Sequence, residues 1–193
     1  MILKLIARLI IFFGRWKITG GLYPGVDKAI IIVAPHTSNW DGLYGISVLI
    51  SRGVPIKFLV KKELMFFPLG IFLKHFGAVA IDRKNIIKSG SIVNFAVDLF
   101  KSNSKIFLIM TPEGSRKQNG EWKRGFYKIA KEANVPIMTG YLDYSKREGG
   151  FGELFYLTDD EEKDIQKLKS FYKNMKGKNN PDLKNNISKS NKV

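Results

Sequence analysis

His36 and Asp41 stand five positions apart in the run His36-Thr37-Ser38-Asn39-Trp40-Asp41, directly after an apolar segment. A neutral imidazole can take a proton from a hydroxyl, and a carboxylate on its other ring nitrogen orients the ring and stabilises the cation that forms. A chain that turns sharply between the two residues would therefore hold the parts needed to deprotonate an alcohol. The same six residues also fit a plainer reading, in which Ser38 and Asp41 make a capping box at a helix start and His36 fills a turn. Spacing alone does not choose between the two, because a single His-Asp spacing arises readily by chance.

Three further segments carry groups suited to the same site. Ala80 to Arg83 (AIDR) ends a short apolar run on an arginine, and Pro112 to Arg116 (PEGSR) follows another with an acid and a base. Two arginines at neighbouring strand ends suit the bidentate grip of a phosphate, which guanidinium geometry favours. The competing readings are an Arg83–Asp82 surface pair and a simple Pro-Gly turn. Val135 to Ile137 (VPI) reads as a strand start and carries no chemistry alone. His75, at a helix end beside Phe76, has a structural role, and Met65-Phe66-Phe67 suits core packing or contact with lipid.

These segments need strands and helices to position them. Lys28 to Ala34 (KAIIIVA) is a β-branched run that reads as a buried strand, and Ser38 caps a helix over about Asn39 to Ser51. Strands are predicted at Ile56 to Val60, Gly77 to Ile81, Lys105 to Met110, Pro136 to Tyr144 and Phe151 to Leu157. Helices are predicted at Glu63 to Phe76, broken by Pro68 and Gly70, at Ile86 to Ser102 and at Trp122 to Ala133. Alternation of this kind predicts an α/β fold, a mixed sheet flanked by helices. Thr158-Asp159-Asp160-Glu161 reads as a capping box opening a last helix that ends at Gly177.

Composition narrows the chemistry. With no cysteine and two histidines among 193 residues, an acyl-cysteine intermediate, a disulfide and a zinc site are all disfavoured, and no metal is expected. The net charge of +15 points to an anionic partner. Its placement favours a membrane over nucleic acid. In Ile2 to Trp16 the residues Lys4, Arg8 and Arg15 fall within a sector of about 40° at 100° per residue, on a helix otherwise built of Ile, Leu, Phe and Ala. Lys4 and Arg8 leave too short an apolar run to span a bilayer. The expected organisation is an amphipathic interfacial helix at 1–20, a catalytic domain at 21–157, a C-terminal helix at 158–177 and a disordered basic tail at 178–193.

Taken in order, the four segments resemble those of the glycerolipid acyltransferase family typified by 1-acyl-glycerol-3-phosphate acyltransferase, over about Ile30 to Asp143. The family's H-x-x-x-x-D motif falls on His36 and Asp41, which implies a catalytic base and its orienting acid. The block ending in an arginine falls on Gly77 to Arg83 and implies that Arg83 binds an acceptor phosphate. The E-G-[TS]-R block falls on Glu113, Gly114, Ser115 and Arg116, which implies acceptor recognition, and the V-P-I block falls on Val135 to Ile137. Thr111 stands where an aromatic residue is common, and Thr139-Gly140 where relatives often carry a second proline. The resemblance implies the mostly parallel sheet of glycerol-phosphate acyltransferases.

The activity expected is transfer of a fatty acyl group from an acyl-CoA or acyl carrier protein thioester to a hydroxyl of a lysophospholipid, with His36 as general base and no cofactor. The expected partners are a lysolipid acceptor, the thioester donor and an anionic membrane surface, on the cytoplasmic face of the inner membrane; no nucleic acid is expected. Two rivals stand beside this reading. One is an acyltransferase acting on a lyso-aminolipid or another phosphate-free lysolipid. The other is a non-enzymatic basic protein binding membrane or nucleic acid, against which the basic residues are spread without interleaved aromatic side chains.

Overall fold

The structure is a computed structural model that describes residues 2–82, 91–116 and 121–180. Helix α1 (Ile2–Phe13) leads into β1 (Lys17–Thr19), β2 (Lys28–Ala34), α2 (Asn39–Ser51) and β3 (Ile56–Lys61). A 3-10 turn at Lys62–Leu64 precedes α3 (Leu69–His75) and β4 (Ala78–Ile81). After the next described helix, α4 (Ile92–Ser102), come β5 (Ile106–Met110), α5 (Gly125–Ala133), β6 (Ile137–Asp143), β7 (Glu148–Phe155) and α6 (Glu161–Tyr172).

The seven strands form one sheet in the order β1-β7-β6-β2-β5-β3-β4, parallel except for the β6–β7 pair. This is the mixed, mostly parallel α/β sheet the sequence predicts. The β-branched run of β2 lies at its centre, and alternation along it divides the core. Ile30 and Ile32 join a cluster with Phe100 of α4, Phe126 and Ile129 of α5, and Ile165 and Leu168 of α6. Ala29 and Ile31 face the other way, packing with Leu49 of α2, Phe107 and Met138. Burial on both faces explains why β2 is apolar from Ala29 to Ala34 instead of alternating.

Several boundaries differ from expectation. Helix α1 ends at Phe13, and Arg15 takes a left-handed φ of 54° in the following turn, so it leaves the basic stripe of Lys4 and Arg8. Within the span read as an interfacial helix, Lys17–Thr19 instead pairs with β7 at the sheet edge. Helix α5 starts at Gly125 rather than near Trp122, and β7 starts at Glu148 because its pairing with β6 continues to the Asp143–Glu148 turn.

The cap of α6 is Asp160, whose side chain accepts from Lys163 N–H, and not Thr158. Thr158 is engaged instead by Asp164, which accepts its N–H and its hydroxyl, each at 2.8 Å. Arg83 and the start of the helix predicted from Ile86 lie outside the described residues.

Candidate active site

The registry of the sheet brings the distant motifs together. Ile32 of β2 stands opposite Met110 of β5, and Ala34 of β2 opposite Tyr141 of β6. All three strands are parallel, so the chain leaves them at one edge of the sheet. The segments that emerge there are Pro35 to Asp41, Thr111 to Arg116 and Tyr144. This is the carboxyl edge, where open α/β sheets place their ligands.

Ser38 starts α2 with its Oγ accepting from Trp40 N–H at 3.2 Å, and Asp41 closes the reciprocal half of the capping box. Asp41 Oδ2 accepts the amides of Thr37 at 2.7 Å and Ser38 at 2.8 Å, and stands 3.3 Å from His36 Nδ1. The capping contacts and the contact with the His36 ring therefore meet on one oxygen atom. Burial would raise the Asp41 carboxyl, yet the hydrogen bonds from His36, Tyr144, Ser38 and Thr37 outweigh it and hold the group below the usual carboxylate range. With Nδ1 turned to Asp41, Nε2 is the ring nitrogen that could accept a proton.

Glu113 turns toward the same turn from the β5 side. Its Oε2 accepts the main-chain N–H of His36 at 2.8 Å, and burial raises its carboxyl above the usual range against the pull of that amide and of the His36 ring. Gly114 holds φ at 63°, and a Cβ there would lie 2.7 Å from Lys123 Cδ, so glycine suits this bend. Arg116 Nη1 donates to Asn39 Oδ1 at the start of α2, which ties the exposed guanidinium to the His-Asp turn. Ser115 is exposed on the same loop.

The strands that precede the two arginines in the sequence, β4 and β5, are not neighbours in the sheet. β3 lies between β4 and β5, so their ends stand about 10 Å apart at ~4.8 Å per strand.

Beside the pair opens a cavity of about 560 Å³. His36 and Asp41 stand in its wall with Gly42, Gly45, Ile46 and Leu49 of α2, and the sheet supplies Phe58, Leu59, Ile81 and Ile109. Its lining is mostly apolar, with Lys123 as a further titratable group beside the pair.

Sequence reasoning misses several residues that hold the turn. Tyr144 donates its hydroxyl to Asp41 Oδ1 at 2.8 Å. Asn179 donates its main-chain N–H to Thr37 Oγ1 at 3.2 Å and its side chain to the Thr37 carbonyl. Lys178 Nζ lies 4.2 Å from the Trp40 ring centroid. The start of the span expected to be a disordered tail is thus fastened to the His-Asp turn, because polar groups there find partners that composition does not reveal; residues 181–193 lie outside the described residues. The one signal for Tyr144 in the sequence is its place at the end of the strand predicted over Pro136 to Tyr144.

The class follows from comparison with known proteins. The acyltransferase family profile matches residues 17–142, well over half of the chain, and the chain belongs to that family. It is similar to the 1-acyl-sn-glycerol-3-phosphate acyltransferase of Streptococcus pneumoniae, 34% identical over an alignment of 131 residues, with 64% of this chain and 47% of that protein covered. It is also similar to the Mycoplasma pneumoniae protein named "Probable 1-acyl-sn-glycerol-3-phosphate acyltransferase", 33% identical over 132 residues, 62% of this chain and 49% of that one. The chain spans about half the length of the curated relatives it matches. Its fold matches the crystal structure of the 1-acyl-sn-glycerophosphate (LPA) acyltransferase, PlsC, from Thermotoga maritima, with a TM-score of 0.61 at 16% identity over 88% of this chain and 74% of that one.

Proposed function

We propose that the protein transfers a fatty acyl group from a thioester, acyl-CoA or acyl carrier protein, to the hydroxyl of a lysophosphatidic acid-like lipid. The observation that carries this reading is the His36–Asp41 pair standing in the wall of an apolar cavity of about 560 Å³. The names of the two curated relatives agree with it. A volume of this order lies within the range of small-ligand sites, and its lining suits a hydrocarbon chain.

In the proposed step His36 Nε2 takes the proton of the acceptor hydroxyl as its oxygen attacks the thioester carbonyl. The tetrahedral oxyanion collapses, the C–S bond breaks, and the thiolate recovers the proton from His36. No acyl-enzyme forms, in keeping with a chain that has no cysteine. General-base help contributes about 10²- to 10⁴-fold, and the rest of the rate comes from positioning and from stabilising the oxyanion. Arg116, with Arg83, meets the acceptor phosphate in this reading.

The site works at a membrane surface. Among the described residues no helix is long and apolar enough to cross a bilayer, but α1 buries only Ala7 and Ile11 and exposes Ile2, Leu5, Ile6, Leu9, Phe12 and Phe13. Phe66, Phe67, Ile71 and Phe72 add a second exposed apolar group. With a net charge of +15, these surfaces suit peripheral binding to acidic lipid, on the cytoplasmic face in this proposal.

The test is incubation of the purified protein with acyl-CoA or acylated carrier protein and a panel of lysolipids. His36→Ala is expected to abolish turnover while leaving the fold intact, since the ring is only partly buried. Full turnover in that variant would overturn the mechanism.

A further inference from the structure

Asp41 divides its acceptor capacity unevenly. Oδ2 faces the amides of Thr37 and Ser38 and the ring of His36, whereas Oδ1 takes the Tyr144 hydroxyl at 2.8 Å. A carboxylate anchored at one oxygen keeps freedom to rotate about its Cβ–Cγ bond. An anchor on the second oxygen fixes the plane, and with it the direction in which Oδ2 meets the imidazole.

Tyr144 is built to supply that anchor. It follows β6, whose end is held beside β2 by the parallel ladder, and it lies two residues beyond the matched family region. Its ring stands edge-on to Trp16, with centroids 4.8 Å apart, and Trp16 is itself buried against Tyr44 of α2 at 5.1 Å. The Tyr144 N–H donates to the Lys176 carbonyl at 2.9 Å. The phenol is thus held by packing on one side and by main chain on the other. Burial beside Asp41 keeps its proton on far above the ordinary tyrosine range, so the hydroxyl donates at any working pH.

The geometry points to Tyr144 as a positioning residue for acyl transfer, one that orients His36 through Asp41; this rests on His36 being the general base. Tyr144 touches no substrate in this scheme. Its loss acts on kcat, because the ground-state contacts of acceptor and donor are untouched.

Tyr144→Phe keeps the ring against Trp16 and deletes only the hydroxyl. Steady-state acylation of lysophosphatidic acid by acyl-CoA is expected to show kcat lowered about tenfold, the size of one hydrogen bond to a charged group, with KM changed less than about twofold. The acid limb of kcat/KM moves to higher pH, because an Asp41 carboxylate that has lost a donor keeps more of its charge for the ring it faces and so favours the ring's protonated form. The proton NMR signal of His36 Nδ1–H shifts as well. In a His36→Ala background the same substitution has no further effect.

An unchanged kcat in Tyr144→Phe, with His36→Ala inactive, overturns the inference and leaves the acyltransferase reading standing. A fall in activity that only tracks a lower Tm, with the pH profile and the Nδ1 signal unmoved, overturns it too. Full activity in His36→Ala overturns the acyltransferase mechanism itself, which separates the two failures.

Discussion

Glu113 Oε2 accepts the main-chain N–H of His36 at 2.8 Å, across 77 positions of chain, and so joins the loop after β5 to the loop after β2. The resemblance implied acceptor binding for this glutamate, whereas its carboxylate engages the backbone of the proposed base. Glu113→Ala leaves that amide without its acceptor, at a cost of about 1–3 kcal/mol of stability. It also frees the turn that aims His36. Glu113→Gln keeps a carbonyl oxygen for the amide and is expected to retain most of the stability and the rate. Equal damage by the two substitutions, in thermal melts and acylation assays, would assign Glu113 an electrostatic role instead.

The Asp41 carboxyl is held below the usual carboxylate range in the fold, because hydrogen bonds outweigh burial. A folded value below the unfolded one means that the folded state binds fewer protons in acid. The stabilisation is therefore complete above the unfolded value and is lost as pH falls through the folded one. Asp41→Asn has no such contribution to lose. The Tm difference between the two proteins is expected to hold steady from about pH 7 to about pH 5 and to shrink as pH falls below the unfolded carboxylate value. A constant difference down to full acid denaturation contradicts the hydrogen-bond account.

In the proposed reading Arg116 meets the acceptor phosphate from a side chain tied to Asn39. Arg116→Ala is expected to raise KM for a phosphate-bearing lysolipid about tenfold, since a hydrogen bond to a charged group contributes roughly that much, and to leave a phosphate-free lysolipid nearly unchanged. Asn39→Ala releases the guanidinium without removing it, so it reproduces a smaller part of the same KM rise. Loss of activity on both acceptors alike would favour a role in holding the turn rather than in reading phosphate.

Gly177 packs on Thr37, where an added Cβ would lie 2.5 Å from the Thr37 methyl group. Gly177→Ala therefore pushes on the residue next to His36, whereas Asn179→Ala only deletes its donation to the Thr37 carbonyl. The expected order of kcat is wild type, then Asn179→Ala, then Gly177→Ala, with an intact circular dichroism spectrum in each. Wild-type rates in both variants would show that the contact with the C-terminal segment is idle.

Phe12 and Phe13 are 73% and 77% exposed at the end of α1. Replacing both with serine removes little from the core, so Tm is expected to stay within about 2 °C. Binding to phosphatidylglycerol vesicles, measured by co-sedimentation, is expected to fall at least about tenfold, and wild-type binding to weaken with salt and on phosphatidylcholine. Undiminished vesicle binding by the double variant would remove α1 from the membrane contact.

Local chemistry made much of this protein readable from its residues alone. The β-branched run of β2 announced a buried strand, Ser38 announced the start of α2, and Pro68 with Gly70 announced the break before α3, because each depends on neighbours within a turn or two. The His36–Asp41 motif was legible for the same reason, since its geometry is closed by six consecutive residues. What only the tertiary structure decided is every relationship that runs through the sheet. The separation of β4 from β5 by β3, the turn of Glu113 onto the His36 amide, and the reach of Tyr144 and Asn179 to Asp41 and Thr37 all depend on strand order and register. Those are set by packing between segments about a hundred residues apart, and no local pattern in the sequence encodes them.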